Sequence, residues 1–304
     1  MNSMRYQIGP FSICAVSILF IVCAIIDNCS FHPSLLLTKC LDSYLVLTYN
    51  YLMQQDLISA MQRDLDDRID DRTRNSTAHF FKEPVSFRGV KSADAKRISK
   101  QYFLQIRHLN KQSIFSMCRE LLKTDYGEDA FIAFDWAYRL KDKYEPDDFY
   151  IFEDWLTKYV NNWAKCDSLC NHTVGTFIDQ YPQYIMHLKK WAKSENRWLR
   201  RASAVTFIIP ARDGKFLKDI FEIADILLLD KDDLVQKGYG WMLKAASQAH
   251  QEEVFNYIMC NKRVMPRTAL RYSIEKMPGD LKHLAMSRNL SGAPPLERGP
   301  GTVV

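Results

Sequence analysis

The sequence predicts an all-α fold, an α-solenoid of paired antiparallel helices, on three observations. Apolar residues from position 51 onward recur at three- and four-residue spacing, and no strand-like alternation of useful length competes with them. Segments of roughly 12 to 18 residues are separated by short polar turns without a strict sequence repeat, which suits stacked helix pairs. With 304 residues, 47% of them hydrophobic and 25% charged, the chain can bury one sizeable core.

The first fifty residues read differently. Phe11 to Ile26 is almost uninterrupted apolar sequence with only Arg5 ahead of it as a positive charge. That length suits a signal-peptide core and falls short of the roughly 20 residues a spanning helix needs. No clean small-x-small cleavage site follows. A poor signal peptide, a short anchor and a stretch outside the natural start compete, and Met53 opens what reads as a natural domain beginning. Residues 1–50 are therefore expected to lie outside the fold, with one helical domain at 51–288 and a disordered Gly- and Pro-rich tail at 289–304. A cytoplasmic location without stable membrane association is expected.

The helical pattern begins with Leu52, Leu57, Ile58, Met61 and Leu65, then Ile114, Met117, Cys118, Leu121 and Leu122, then Phe131, Phe134, Ala137 and Tyr138. The same period continues over Phe149 to Val160, Val174 to Ala192, Trp198 to Ile209, Phe216 to Leu229, Leu234 to Ala249, Val254 to Met259 and Arg267 to Lys276. Pro146, Asp147 and Asp148 mark one start, Asp213 and Gly214 separate two segments, and Pro266 stands at a first-turn position.

Of eight cysteines, Cys14, Cys23, Cys29 and Cys40 fall in the leader; Cys118, Cys166, Cys170 and Cys260 are scattered, mostly within apolar patterns, as free buried thiols in a reducing compartment are. Cys166, Cys170 and His172 lack a fourth ligand at suitable spacing, so no metal is expected. The net charge of +5 does not by itself argue for nucleic acid. The stretch from Lys189 to Lys218 is more telling: Lys189, Lys190, Lys193, Arg197, Arg200, Arg201, Arg212, Lys215 and Lys218 stand against Glu195 and Asp213. This is either a phosphate-facing stripe or a solvated helix face.

Three polar and aromatic islands interrupt the helices: Asn162-Trp163-Ala164-Lys165-Cys166-Asp167, Asn196-Arg197-Trp198-Leu199-Arg200-Arg201 and Lys237-Gly238-Tyr239-Gly240-Trp241. A carboxylate, an arginine cluster and two large aromatics are the parts needed to hold a cationic, phosphate-bearing substrate. Trp163 stands one turn before Asp167, on the same helix face. Other roles compete: Asp167 as the cap of a short helix beginning at Ser168, the tryptophans as core, the glycines as close packing and Arg197 as surface solubility.

Trp163-x-x-x-Asp167, Trp198-Leu199-x-Arg201, Gln236-Lys237-x-x-Gly240-Trp241, Met265-Pro266-Arg267 and Leu270-Arg271-Tyr272, in this order and spacing over roughly 53 to 280, resemble the AlkD-like alkylpurine DNA glycosylases built from HEAT-like repeats. His79-Phe80-Phe81-Lys82 and Arg88-Gly89-Val90 are similar to that family's opening segment. The resemblance implies a concave DNA-binding surface and hydrolysis of the N-glycosidic bond of cationic alkylated purines, 3-methyladenine and 7-methylguanine, in duplex DNA, without a cofactor and by a monomer. It implies that Asp167 stabilises the sugar cation and orients water, that Trp163 and Trp241 flank the lesion, and that Arg201 grips phosphate with help from Arg200, Arg197 and Lys237. It also implies action without full flipping of the base, unlike most glycosylases. Asp233 and Leu234 replace a frequent aromatic pair, and Phe80 stands in place of a tyrosine. The alternatives are a non-catalytic helical-repeat protein for damaged or branched DNA and a protein-interaction solenoid. Asp167→Asn is expected here to leave thermal stability nearly unchanged.

Overall fold

The computed structural model describes residues 51–287. The segment Phe11 to Ile26, the leader cysteines and the tail lie outside the described residues. The chain divides into two compact units, Met1–Asp56 and Leu57–Val304, and the architecture below is that of the second.

Helices follow one another in short steps: α1 (57–66), α2 (Asp71–Ala78), α3 (Ser92–Ile106), α4 (Lys111–Lys123), α5 (Gly127–Tyr138), α6 (Asp148–Tyr159), α7 (Trp163–Ser168) and α8 (Gly175–Gln180). After them come α9 (Ile185–Trp191), α10 (Arg197–Val205), α11 (Ile208–Arg212), α12 (Leu217–Leu227), α13 (Asp233–Ala246), α14 (Gln251–Asn261), α15 (Arg267–Ser273) and α16 (Gly279–Met286). Among the described residues extended backbone pairs only at one bridge, Ile69 with Val90. No helix among them is long and apolar enough to cross a membrane.

The packing has the two-row logic of a solenoid. Helices α5, α7, α10, α13 and α15 form one row in which each touches the next, while α4 packs on α6 and α9 on α12 in the other. Between the rows lies an apolar layer in which Phe134, Trp136, Phe149, Phe152, Trp155, Phe177, Phe207 and Tyr239 are almost wholly buried. Burial of large aromatics rather than helix propensity holds such short helices in place.

Two expected helices are broken. The run from Val174 to Ala192 stops at Gln180, because Pro182 forces Tyr181 out of the helical region (φ −127°, ψ 68°) and starts a short 3-10 turn, Pro182–Tyr184. The run from Trp198 to Ile209 ends at Val205 and resumes as α11. Between α7 and α8 the chain widens into a π-helical turn, Leu169–Val174. Such turns cluster at functional sites.

The strap between α2 and α3 is anchored at its far end by buried charge. Gly89 adopts φ +94°, with Arg74 and the Asp70 carbonyl so close that a Cβ would lie 2.7 Å from Arg74 Cβ. Arg88 donates to both oxygens of Asp129 at 2.8 and 3.0 Å, and the Glu128 carboxylate accepts the backbone N–H groups of Arg88, Gly89 and Val90 at 2.9, 2.9 and 3.0 Å. The strap thus emerges over the helix row from a fixed root.

Candidate active site

The first two islands are helix starts, and the third begins one turn into its helix, at Lys237 of α13. Asn162 caps α7 by accepting from Lys165 N at 3.0 Å, Asn196 caps α10 from Trp198 N at 2.9 Å, and Asp232 caps α13 from Leu234 N at 2.9 Å. Because these helices lie side by side, residues at equal depth converge. Asp167, Arg201 and Lys237 each occupy the fifth position of their helix. Asp167 is therefore not a cap: the helix begins at Trp163, and Asn162 fills that role.

Asp167 and Arg201 form a bidentate ion pair, Arg201 Nε donating to Oδ1 at 2.9 Å and Nη2 to Oδ2 at 2.8 Å, across the α7–α10 contact. Arg201 Nη1 donates to the Leu234 carbonyl at the start of α13. The guanidinium is buried and directed inward, at 6% side-chain exposure beside 12% for Asp167. Burial pushes the Asp167 carboxyl above its ordinary value, and Arg201 opposes that rise. The fork geometry gives the carboxylate two charge-assisted hydrogen bonds.

The glycines of the third island serve packing. A Cβ on Gly238 would stand 3.3 Å from Arg201 Cγ, so Gly238 makes room for the arginine stem. A Cβ on Gly240 would meet Tyr272 Cβ at 2.7 Å and the Ala269 carbonyl at 2.8 Å, where α13 and α15 touch. Gly240→Ala is accordingly expected to lower stability by about 1 to 3 kcal/mol, read as a lowered midpoint in urea unfolding, whereas an unchanged midpoint would mean that the two helices are not in this contact.

Two cavities, of about 310 and 640 Å³, meet at Trp163, Asp167 and Trp241. Trp163 and Asp167, one turn apart on α7, line both cavities, and so does Trp241 of α13. Trp163 is held by the strap: its indole stacks on Phe81 at 5.1 Å and donates through Nε1 to the Phe80 carbonyl at 3.4 Å. The smaller cavity is further lined by Phe80, Lys82, Lys237 and Tyr272, with Phe80 73% exposed at its mouth. The larger runs past Lys96 and Lys100 of α3, Tyr138 at the end of α5 with Arg139 just after it, and Asn171 and His172 in the π-helical turn. Sequence reasoning missed these last residues because they come from helices before and after the islands. The i, i+4 pair Lys96 and Lys100 was the available signal.

The basic run from Lys189 to Lys218 is largely spoken for. Lys189 pairs with Asp219 and Glu222 at 2.6 Å each, Lys215 with Asp179 at 2.6 Å, and Arg200 with Asp230 at 2.6 Å. Arg200 lines a separate hollow with Lys193 and Asp230. Arg197 bridges Glu83 of the strap and Asp232 at 2.7 and 2.6 Å. Of the four basic residues expected to face phosphate, only Arg201 and Lys237 line the cleft, and Arg201 spends its donors within the protein.

Cys118, Cys166 and Cys170 are buried and free, and Cys260 is exposed, unlike the other three. Among the described residues no three His, Cys, Asp or Glu side chains are grouped to hold a metal ion.

Residues 61–277 match the family model described as DNA alkylation repair enzyme. Among solved structures the chain is similar to one described as a predicted DNA alkylation repair enzyme from Enterococcus faecalis, with a TM-score of 0.63 and 14% identity over 70% of this chain and 98% of that one. At that identity the likeness shows the fold alone. No curated protein matches the chain significantly.

Proposed function

This chain belongs to the DNA alkylation repair enzyme family, and on that premise we propose that it is a glycosylase that hydrolyses the N-glycosidic bond of cationic alkylated purines, such as 3-methyladenine and 7-methylguanine, in duplex DNA. The observation that carries the reading is the Asp167 carboxylate, fixed by Arg201 where two cavities meet between Trp163 and Trp241.

A purine alkylated on a ring nitrogen is already positively charged, so it departs without strong acid catalysis. What the bond cleavage needs is a counter-charge for the oxocarbenium ion growing on the sugar. A preorganised carboxylate in a half-closed cleft supplies it, and also accepts a proton from the attacking water. The base takes the electrons of the breaking C–N bond and leaves neutral; water adds to the anomeric carbon, leaving an abasic site. The π faces of Trp163 and Trp241 attract the cationic base and the electron-poor sugar.

In this reading Arg201 is a positioning residue for Asp167. The backbone is met by the exposed Lys96 and Lys100 on one side of the cleft and by Lys82 and Lys237 on the other. Reversing both charges, Lys96→Glu with Lys100→Glu, should weaken binding to lesion-free duplex by at least about 10-fold and make its salt dependence shallower by about two phosphate contacts. Unaltered affinity and salt slope, measured by fluorescence anisotropy, would remove α3 from the DNA path. The reaction itself is tested by incubating methylated duplex with the protein and assaying free methylated base and abasic sites. DNA binding without base release would favour a non-catalytic repair protein.

A further inference from the structure

The strap and α13 are joined by a three-residue charge bridge at the cleft mouth. The Asp233 Oδ2 atom accepts from Lys82 Nζ at 2.9 Å and from Lys237 Nζ at 3.2 Å. Both lysines line the cavity that holds Asp167, and Lys82 is 74% exposed. One anionic oxygen thus sits between the two ammonium groups best placed to meet a DNA phosphate at this end of the cleft. The strap is tied down beside it by Glu83 with Arg197 at 2.7 Å. Phe80 and Phe81, immediately before Lys82, are the strap residues that hold Trp163.

We propose that Asp233 occupies the seat of a backbone phosphate, an autoinhibitory contact that DNA must displace to enter the cleft. The inference rests on the DNA reading given above. A phosphodiester oxygen and a carboxylate oxygen compete for the same pair of cations. In the free protein the carboxylate neutralises Lys82 and Lys237 and latches the strap against α13. In the complex the phosphate takes the lysines and Asp233 turns to solvent. The cost of opening the latch lowers the affinity for lesion-free and lesion DNA by the same factor, and contacts with the cationic base offset it at a lesion.

The prediction is counter to the usual effect of removing an ion pair. Asp233→Asn should tighten binding to a lesion-free duplex by roughly 3- to 10-fold, the scale of the two exposed charge pairs that Asp233 makes, and steepen the salt dependence by about one counterion. Lys82→Ala should cost more affinity in the Asp233→Asn background than in the wild type, because in the wild type the lost phosphate contact is partly offset by loss of the Lys82–Asp233 contact that DNA must break. Asp219→Asn makes the same charge change next to Lys189, outside the cleft lining. It should leave affinity within about two-fold if the effect belongs to the seat rather than to net charge. The measurement is anisotropy with a labelled duplex at several salt concentrations, on variants whose thermal unfolding matches the wild type. Wild-type binding with an unchanged or weakened Asp233→Asn, or equal gains from Asp219→Asn, would overturn the latch and leave the DNA reading standing. A wild-type protein that binds no DNA would overturn both.

Discussion

Asp167→Asn is expected to lower the rate of 7-methylguanine release by roughly 10- to 1,000-fold, because it removes a preorganised charge from the place where the transition state develops the opposite one. The carboxylate is the one anion lining both cavities, and an amide at the same place has no net charge to offer the sugar cation. The expectation that stability would be spared does not survive the structure. Asp167 is not a helix cap but half of a buried bidentate pair, so an amide there leaves Arg201 under-compensated at a cost of about 3 kcal/mol. The assay therefore belongs at a temperature at which both proteins are fully folded, checked by circular dichroism. Unchanged release by the folded variant would take the catalytic role away from Asp167.

Arg201→Ala is expected to have the larger effect on stability, about 3 to 5 kcal/mol, because it strands a carboxylate in a site that excludes most water. It should also move the pH profile. Burial raises the Asp167 carboxyl and Arg201 holds it down, so loss of the arginine raises it further. Protonation removes the charge that assists the reaction, so base release falls as pH falls. In the wild type that acid limb lies above 3.8, the ordinary aspartate value; in Arg201→Ala it shifts to higher pH. Arg201→Lys restores a charge without the planar fork and should recover part of both losses. A pH–rate profile that does not move, together with a shallower salt dependence of DNA binding, would make Arg201 a phosphate ligand instead.

Much of the site was legible because the islands are local structures. An Asn or Asp cap followed by functional residues within two turns is written contiguously, and Trp163 and Asp167 share a face by helical periodicity alone. The ion-pair partners were not legible, since each lies about one helix pair away: Asp167 with Arg201 is 34 residues apart, Arg200 with Asp230 is 30, and Lys215 with Asp179 is 36. A basic run whose acidic partners sit on the next pair looks unpaired in sequence. Lys82 was harder still, because its partner Asp233 is 151 residues distant and the strap that carries it has no periodicity to read. The break at Pro182 was readable, and the apolar period of the flanking residues masked it.

The central claim, that this cleft cleaves the glycosidic bond of a cationic purine, is tested most directly by the products formed from alkylated duplex DNA. Wild-type protein in excess over methylated duplex should release free 7-methylguanine or 3-methyladenine, leaving abasic sites, while folded Asp167→Asn releases either base far more slowly. Free base at the spontaneous rate alone, from a wild-type protein shown to be folded and bound to that duplex, would contradict it.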